Sequence, residues 1–282
     1  MSDISAPKTL GNRRFHNVET STYWLPNDES ELDRLDEYHF TLKDFFEGNV
    51  LGPGKSLFEK PVKALDVGCG PGTWVLDMST EYPKSDFTGV DLRDVTFPTK
   101  KASNSHFLVG NVLTGLPFPD NTFDFVQMRL LVAAIRVEEW PSAMKELMRV
   151  TKPGGLIQSI EIDLKVDEND KTGLVKAMCD ACTSRGQDPR VAIRIKDLLT
   201  EAGAQVLHTE RREVNLGGDD ALATKFISVS KNSIHSMLPV LGPILNIDES
   251  EGLDKGLDRF CDRLRKSESR WYYSANLAQK PE

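Results

Sequence analysis

A glycine-rich loop directly after a short apolar run constrains this chain more than any other feature. The stretch LDVGCGPGTW, residues 65–74, has glycines at positions 68, 70 and 72 and an aspartate at position 66. The run before it, residues 62–67, is typical of a β-strand, so the loop leads from a strand into the next element. Glycines at the carboxyl end of a strand let a nucleotide approach the backbone closely. We therefore expect a nucleoside site here, with a plain structural turn as the alternative.

Composition describes an ordinary folded protein with an acidic surface. The chain has 282 residues, of which 39% are hydrophobic and 28% charged, and its formal net charge is −8. This length fits one large α/β domain with additions. Because nucleic-acid affinity rests on clustered Lys and Arg, the acidic balance predicts no nucleic-acid partner. The basic cluster at residues 263–270 is interpreted as a solvated helix face.

Cysteine usage and hydropathy predict a protein of the cytoplasm or nucleus. Four cysteines, at positions 69, 179, 182 and 261, are too few for a disulfide framework in a chain of this length. The longest nearly apolar run, residues 237–245, contains proline and glycine and is too short to span a bilayer. We expect no membrane partner and no metal, since Cys179 and Cys182 lack a second pair of ligands.

Strand-like and helix-like stretches alternate from residue 62 onward. Strands are expected at residues 62–67, 86–91, 106–109, 123–128 and 156–162, and the clearest amphipathic helix at 138–150. This alternation predicts an α/β fold, with helices on both faces of a parallel sheet and ligands at the carboxyl ends of its strands. Helices are then expected at 173–184 and 191–202, a strand at 205–214, and a last aromatic strand at 270–277. Residues 219–266 are predicted as a helical insertion with breaks at Pro239, Gly242 and Pro243.

The chain divides into three parts. Residues 1–20 are polar and without periodicity, which predicts a mobile arm. Residues 21–60 contain a helix that begins near Glu29, because Asp28 and Glu31 have the spacing of an N-cap followed by an apolar stripe. Residues 61–282 form the ligand-binding domain, including the insertion at 219–266.

The glycine spacing favours one kind of nucleoside. A dinucleotide fingerprint requires G-x-G-x-x-G, but counting from Gly68 the third position is Thr73. Asp91, 23 residues after Gly68, ends the second predicted strand and can accept hydrogen bonds from both hydroxyls of any ribose. At these residues the chain resembles the class I S-adenosylmethionine-dependent methyltransferases, whose first motif is similar to residues 65–72.

The resemblance implies a Rossmann-like, seven-stranded, mostly parallel sheet whose last strand is antiparallel. It implies that S-adenosylmethionine is the cofactor and that three strand ends hold it. The expected cofactor-binding residues are Asp66, Gly68, Cys69, Gly70 and Gly72 for the methionine part, Asp91 and Leu92 for the ribose, and Asn111 and Val112 for the adenine. The fourth strand is expected to place Gln127, Met128 and Arg129 over the cofactor, with Arg129 within reach of the methionine carboxylate. Asn111 departs from the acidic residue that the family often has there, but its carbonyl can still accept from an amine.

A second signature narrows the family. The stretch YWLPNDESELDRLDEYH, residues 23–39, resembles the N-terminal signature of a fungal family, LaeA-like, that includes the global regulator of secondary metabolism and cluster-encoded tailoring methyltransferases. The segment IKDLLTEAG and the closing Lys280-Pro281 are similar to that family too. Tyr38-His39 departs from the family's glutamine-histidine pair. By analogy, residues 21–60 close over the cofactor as a lid.

Methyl transfer needs alignment more than it needs a base. The reaction is an in-line displacement on a carbon that the cofactor activates. A positioned base would assist a hydroxyl or ammonium acceptor. The candidate bases are His39, Tyr23, Glu161 and His16.

Three functions follow from the sequence. The first is methyl transfer to an O or N nucleophile of a small-molecule secondary metabolite, bound by an apolar pocket from the insertion. That pocket is expected to use Phe226, Ile234, Met237, Leu238, Leu241 and Ile244. The second is regulation of secondary metabolism through a protein partner, with protein or self methylation. The third, a nucleotide-dependent oxidoreductase, is disfavoured by the glycine spacing.

Overall fold

The structure is a computed structural model that describes residues 8–10, 13–15, 21–168 and 170–282. The candidate base His16 lies outside the described residues. The strands are β1 (Lys8–Leu10), β2 (Arg13–Phe15), β3 (Lys63–Val67), β4 (Asp86–Asp91), β5 (Ser105–Val109), β6 (Phe123–Arg129), β7 (Thr151–Asp163), β8 (Gln205–Asn215) and β9 (Arg270–Gln279). The α-helices are α1 (Glu29–Phe45), α2 (Thr73–Glu81), α3 (Trp140–Val150), α4 (Leu174–Thr183), α5 (Ile195–Glu201), α6 (Ala221–Leu245) and α7 (Leu253–Lys266).

Seven of these strands form one sheet in the order β5-β4-β3-β6-β7-β9-β8. The pairings from β5 through to β7 are all parallel, whereas β9 runs antiparallel to both of its neighbours. The predicted fold, a mostly parallel sheet with an antiparallel last strand, is confirmed. The chain builds outward from β3 to β5 and then returns to place β6 on the other side of β3. Such a reversal opens a crevice at the carboxyl ends of the strands, where ligands bind in this class of sheet.

An aromatic layer supports the turn that follows β3. Trp74, the second residue of α2, is 1% exposed and lies 6.0 Å from the ring of Phe87 on β4 and 6.1 Å from that of Phe125 on β6. Phe58 adds a third contact, 5.2 Å from Phe125. Buried aromatic groups of this size contribute a large part of the burial energy of a core. Their packing fixes where α2 begins, and therefore where the glycine loop ends.

Helix α1 begins where the sequence predicts, because the Asp28 side chain accepts a hydrogen bond from the backbone N–H of Glu31. At the other end of α1, Phe45 packs against Phe226 of α6 with ring centroids 5.2 Å apart. Between these ends, the hydroxyls of Tyr38 and Tyr273 are hydrogen-bonded at 2.6 Å. The helix is thus anchored both to α6 and to β9.

Two parts of the structure differ from the sequence-based expectations. Within the predicted mobile arm, β1 and β2 pair in an antiparallel manner, and the Arg13 guanidinium donates to the Asp28 carboxylate at 2.7 and 2.9 Å. The described part of the arm is therefore ordered against the start of α1. Helix α6 also continues through Pro239 and Pro243 instead of breaking. A proline removes one helical hydrogen bond and bends a helix, but packing against α1 and α4 keeps this helix continuous.

The close packing of α7 against the segment that precedes it gives a test of how the insertion packs. A Cβ at Gly256 would overlap the backbone carbonyl of Asp248 and lie 2.9 Å from the Ile247 side chain, whereas a Cβ at Gly242 has no neighbour closer than 3.8 Å. Both glycines are helical, so alanine improves helix propensity by about 1 kcal/mol at Gly256 and by less at Gly242, which precedes Pro243. We expect Gly256→Ala to lower the free energy of unfolding by about 1–3 kcal/mol. Gly242→Ala is the matched control and should leave it unchanged or raise it.

Denaturant unfolding of the two variants measures this difference. Equal stability of the two would contradict the close approach of α7 to the segment that precedes it.

Candidate active site

A cavity of about 220 Å³ lies at the carboxyl ends of the central strands. One wall is made by the residues that follow β3, β4, β5 and β6, and the opposite wall by α1 and the segment before it. Of the sequence-predicted residues, the following line this cavity: Tyr23, His39, Asp66, Gly68, Cys69, Gly70, Asp91, Leu92, Asn111, Val112 and Arg129. The ends of β3 and β6, Val67 and Arg129, are 62 residues apart in the sequence, and the parallel sheet brings them to one edge.

The glycine loop is shaped by backbone conformation and by a carboxylate. Gly68, Gly70 and Gly72 have φ values of +72°, +53° and +78°, which side chains with a Cβ rarely adopt. The N–H of Gly70 donates to Asp91 Oδ2 at 2.9 Å. This bond ties the loop after β3 to the end of β4. Gly72 does not line the cavity, because it begins α2 on the side that faces Phe107.

A buried carboxylate, Asp66, and a half-buried one, Asp91, give the cavity wall its acidic character. Asp66 is 2% exposed, and burial raises its pKa to about 6 although the Arg129 charge acts in the opposite direction. Burial also raises the pKa of Asp91, against the backbone N–H groups of Gly70, Leu92 and Arg93 that favour its ionised form. Buried carboxylates are stabilised by hydrogen-bond donors. The pair is therefore suited to a ligand that carries hydroxyl or ammonium groups.

Arg129 is oriented by a chain of hydrogen bonds that runs from Asp77 through His39. Its Nη2 lies 2.8 Å from Nδ1 of His39, and Nε2 of His39 lies 3.0 Å from Asp77 Oδ2. An arginine can only donate, so Nδ1 must accept and Nε2 must carry the proton that is donated to Asp77. Lys43 and Asn49 also donate to Asp77. The imidazole is consequently neutral, and burial together with Arg129 lowers its pKa to about 4.

This geometry disfavours the prediction that His39 is a base. Both ring nitrogens are engaged, and the lowered pKa makes the imidazole a poor proton acceptor near neutral pH. The arrangement can orient the Arg129 guanidinium, a half-buried cation of the cavity wall whose charge acts on Asp66. A positively charged, planar donor set of this kind matches a carboxylate.

Three further predicted residues lie behind the cavity wall. Glu161 is fully buried, and its two carboxylate oxygens accept from the backbone N–H groups of Leu131 and Val132 at 2.8 and 3.2 Å. It therefore positions the loop after β6, and these contacts disfavour the prediction that it is a base. Gln127 donates to Asp66 at 3.4 Å from beneath, and Met128 is fully buried on the opposite face of β6. Neither of these two lines the cavity.

Asn111 lines the cavity but already has a local partner. Its side-chain carbonyl accepts from the backbone N–H of Leu113 at 2.9 Å, which closes the turn after β5. A carbonyl oxygen has a second lone pair, so an adenine amine could still be accepted there. The expectation for Asn111 stays a prediction.

Several residues of the cavity wall were not predicted from the sequence. Asn27 Oδ1 and Arg93 Nη1 are buried in it and have no hydrogen-bond partner among the described residues. Buried polar atoms are normally paired, so these two indicate that a polar ligand completes the site. Arg93 follows Asp91 by two positions, a signal that could have been used, whereas nothing in the local sequence distinguishes Asn27.

A buried ion pair forms part of the N-terminal wall, where Glu31 lines the cavity. Arg34 donates to both carboxylate oxygens of Glu31 at 2.6 and 3.0 Å, with side chains 5% and 1% exposed. Ser236 of α6 donates to the same carboxylate at 2.6 Å. The Tyr23 hydroxyl is also hydrogen-bonded to Glu31, and burial followed by this charge raises the Tyr23 pKa above its usual range. Tyr23 therefore carries its proton at neutral pH.

Within the described ranges, the structure holds no group of three or more His, Cys, Asp or Glu side chains arranged to bind a metal ion. Over the same residues, it contains no helix that is long and apolar enough to cross a membrane.

The tautomer assigned to His39 can be measured directly. We expect the His39 imidazole to titrate with a pKa of about 4 rather than 6.5, because its neutral form is buried between Arg129 and Asp77. Histidine resonances followed by NMR from pH 7 to pH 4 test this, with His39→Gln to assign the signal. A titration midpoint of His39 near 6.5 would contradict the hydrogen-bond chain from Asp77 through His39 to Arg129. Arg129→Met should raise the pKa of His39, because it removes a neighbouring positive charge.

A family model described as a methyltransferase domain matches residues 64–155. This span runs from β3 into β7 and contains the strand ends that form the cavity.

Solved structures share the fold over most of the chain. A proposed sarcosine dimethylglycine methyltransferase from Galdieria sulphuraria aligns with a TM-score of 0.54 at 16% identity, covering 91% of this chain and 92% of that one. The 4+2 cyclase SpnF aligns with a TM-score of 0.52 at 19% identity, covering 91% and 98%. Phosphoethanolamine N-methyltransferase 2 from Haemonchus contortus, in complex with S-adenosyl-L-methionine, gives 0.51 at 15% identity, covering 88% and 57%. These identities establish the fold alone, and a cyclase among them shows that the fold does not determine the reaction.

Related sequences fall into two groups. The secondary metabolism regulator laeA of Aspergillus fumisynnematus is 26% identical over 162 residues, and the protein-methionine methyltransferase laeA of Emericella nidulans is 25% identical over 162 residues. Each match covers 57% of this chain but only 42% of the relative, so the chain spans less than half of their length. Methyltransferase str2 of Strobilurus tenacellus is 27% identical over 268 residues, covering 90% of this chain and 93% of str2. Residues 64–155 thus match a methyltransferase domain, and the chain is similar to str2 over most of its length and to the laeA proteins over part of it.

Proposed function

We propose that this protein transfers a methyl group from S-adenosylmethionine to an O or N nucleophile of a small-molecule secondary metabolite. One observation carries the proposal: Asp66, the glycine loop, Asp91 and Arg129 converge on a single cavity at the switch point of the sheet. S-adenosylmethionine is the cofactor of the family. Its amino-acid part carries one ammonium and one carboxylate, and the cavity offers a carboxylate and a guanidinium.

The cavity residues fit the cofactor part by part. Asp66 and the loop from Gly68 to Gly72 would hold the methionine part, with Arg129 on its carboxylate. Asp91 and Leu92 would hold the ribose, since a carboxylate at this position accepts from two hydroxyls. Asn111 and Val112 would hold the adenine. We also propose that residues 21–60 act as a lid, since Tyr23 and His39 line the cavity from the side opposite the strand ends.

When bound, the cofactor supplies an activated methyl carbon on a sulfonium. The chain's own residues then have to align the acceptor and exclude water. Well-oriented reactants contribute roughly 7–11 kcal/mol to lowering such a barrier. The N-terminal wall and the strand ends enclose the site from two sides, which supports this role.

Among the candidate bases, Tyr23 is the best placed. His39 is held between Arg129 and Asp77, and Glu161 is bound to backbone N–H groups behind the wall. The Tyr23 hydroxyl lines the cavity and is hydrogen-bonded to Glu31. A proton from the acceptor would pass to the Tyr23 oxygen while the Tyr23 proton passes to the Glu31 carboxylate. Such a relay lets a tyrosine with a raised pKa accept a proton without becoming an anion.

The relatives support two biological settings. The match to str2 covers nearly all of both chains, which favours a stand-alone methyltransferase. The laeA matches favour the second candidate, a regulator of secondary metabolism that acts through a protein partner in the cytoplasm or nucleus. A pull-down from fungal extract distinguishes them: a stable complex with a specific protein favours the regulator, and turnover of a small molecule favours the enzyme.

The Asp91 carboxylate gives the first test of the cofactor's placement. We expect Asp91→Ala to weaken S-adenosylmethionine binding about 10- to 100-fold, because a hydrogen bond to a charged group is worth about 1.5–3 kcal/mol. Isothermal titration calorimetry measures the affinity. Asp86→Ala is the matched control, since Asp86 is exposed at the opposite end of the same strand. Equal affinity of the two variants would show that the ribose does not bind at Asp91.

The proposed relay predicts a separation of binding from turnover. We expect Tyr23→Phe to keep cofactor affinity within about twofold and to lower kcat by roughly 10²- to 10⁴-fold, the usual contribution of a positioned base. Transfer of a labelled methyl group to an acceptor found by screening measures kcat. Tyr82→Phe, at the far end of α2, is the control. Unchanged kcat in Tyr23→Phe would overturn the relay.

A further inference from the structure

A second cavity, of about 100 Å³, adjoins the cofactor cavity. The two cavities share the lining residues Tyr23, Leu35, Tyr38 and Leu130. Three of these belong to the N-terminal segment and one follows β6, so the shared wall is the one that faces the cofactor across the site. A molecule in the second cavity would therefore lie next to the cofactor.

The far walls of this second cavity are apolar and come from distant parts of the chain. They include Ile162 and Leu164 at the end of β7, Met178 and Cys182 on α4, Met237 on α6, and Trp271 at the start of β9. Cys182, Met237 and Trp271 are each at most 5% exposed. An apolar cavity on the order of 150 Å³ can bind benzene. The second cavity, about 100 Å³, is two thirds of that size, so it admits at most one small ring, part of which would project toward the adjoining cofactor cavity.

The charge in the second cavity is already compensated. Among the described residues that line it, Arg34 is the one charged side chain. The Arg34 guanidinium donates twice to the Glu31 carboxylate, at 2.6 and 3.0 Å, and once to the Ser233 hydroxyl at 3.5 Å. A charged ligand would lose its hydration here without gaining a partner, which costs several kcal/mol.

The insertion contributes less to this cavity than the sequence suggested. Of the six apolar residues expected from the insertion, only Met237 lines it. Phe226, Ile234 and Leu241 are buried in the helix packing, and Ile244 is 58% exposed. Helix α6 presents one edge to the cavity, and the N-terminal segment, the loop after β6, the end of β7, α4 and β9 supply the rest.

We propose that the second cavity is the acceptor site and that it selects an uncharged, ring-sized apolar molecule with a hydroxyl directed toward Tyr23. This inference rests on the proposed function and specifies its acceptor. The hydroxyl is assigned because the polar groups of the shared wall are the phenols of Tyr23 and Tyr38, and Tyr38 is already bonded to Tyr273 at 2.6 Å. Tyr23 donates its proton to Glu31, so its oxygen can still accept a hydrogen bond from the acceptor hydroxyl, and we assign Tyr23 as the group that meets the acceptor.

Three probes with the same phenol ring test the selection by charge. These are 4-ethylphenol, which is neutral, tyramine, which is cationic, and 4-hydroxyphenylacetate, which is anionic. Calorimetry with the full chain and saturating S-adenosylhomocysteine measures binding without turnover. We expect saturable binding of 4-ethylphenol and at least tenfold weaker binding of both charged probes. Equal or tighter binding of either charged probe would overturn the inference, and this comparison needs no variant.

A blocking variant tests the location. Met237→Trp should fill the second cavity and weaken 4-ethylphenol binding at least tenfold, while S-adenosylhomocysteine affinity stays within twofold. Ile244→Trp, on the exposed face of the same helix, should change neither affinity. Unchanged 4-ethylphenol binding in Met237→Trp would place the acceptor elsewhere.

If the wild-type chain bound 4-ethylphenol but no S-adenosylhomocysteine, the proposed function would fail while the cavity's selectivity would stand. Cofactor binding without any 4-ethylphenol binding would overturn the inference alone.

Discussion

The buried ion pair between Arg34 and Glu31 is the interaction on which the arrangement of this protein's site depends. It holds α1 to α6 through Ser236, and it stands between the cofactor cavity and the second cavity. Breaking a buried pair by removing one partner costs about 3–5 kcal/mol, although the intact pair adds little net stability over an apolar replacement. The pair therefore specifies position more than it adds stability, and the position it specifies is that of the N-terminal wall.

The opposite wall is organised by charges with little access to water. Asp91 ties the glycine loop to β4, and Asp66 lies beside the Arg129 guanidinium. The orientation of Arg129 comes from His39, whose neutral form is maintained by burial and by the donor it offers to Asp77. A carboxylate, a cation and two unpaired polar atoms facing one cavity are suited to a zwitterionic nucleoside. They are less suited to a pyrophosphate, which requires backbone N–H groups and positive charge.

Local patterns predicted the sheet and the glycine loop well, because apolar strand segments, turn glycines and the helix cap at Asp28 each depend on residues that are close together in the sequence. What could not be predicted depends on distant contacts. Successive side chains of a strand point to opposite faces, so Met128 of β6 points away from the cavity. Gln127 shares the face of Arg129 but contacts Asp66 behind the cavity wall, so only Arg129 of these three lines the cavity. The partners of His39 and Glu161 lie on other elements, and these partners change the roles of both residues. The pairing of β1 with β2 leaves no alternating pattern in the sequence.

The central claim is that the cavity at the strand ends is built for S-adenosylmethionine. Calorimetric titration of the purified chain with S-adenosylmethionine, S-adenosylhomocysteine and NAD in parallel tests it most directly. The account predicts saturable binding of the two sulfur nucleosides and none of NAD. Binding of NAD alone would contradict the claim and show that the glycine spacing had been misinterpreted.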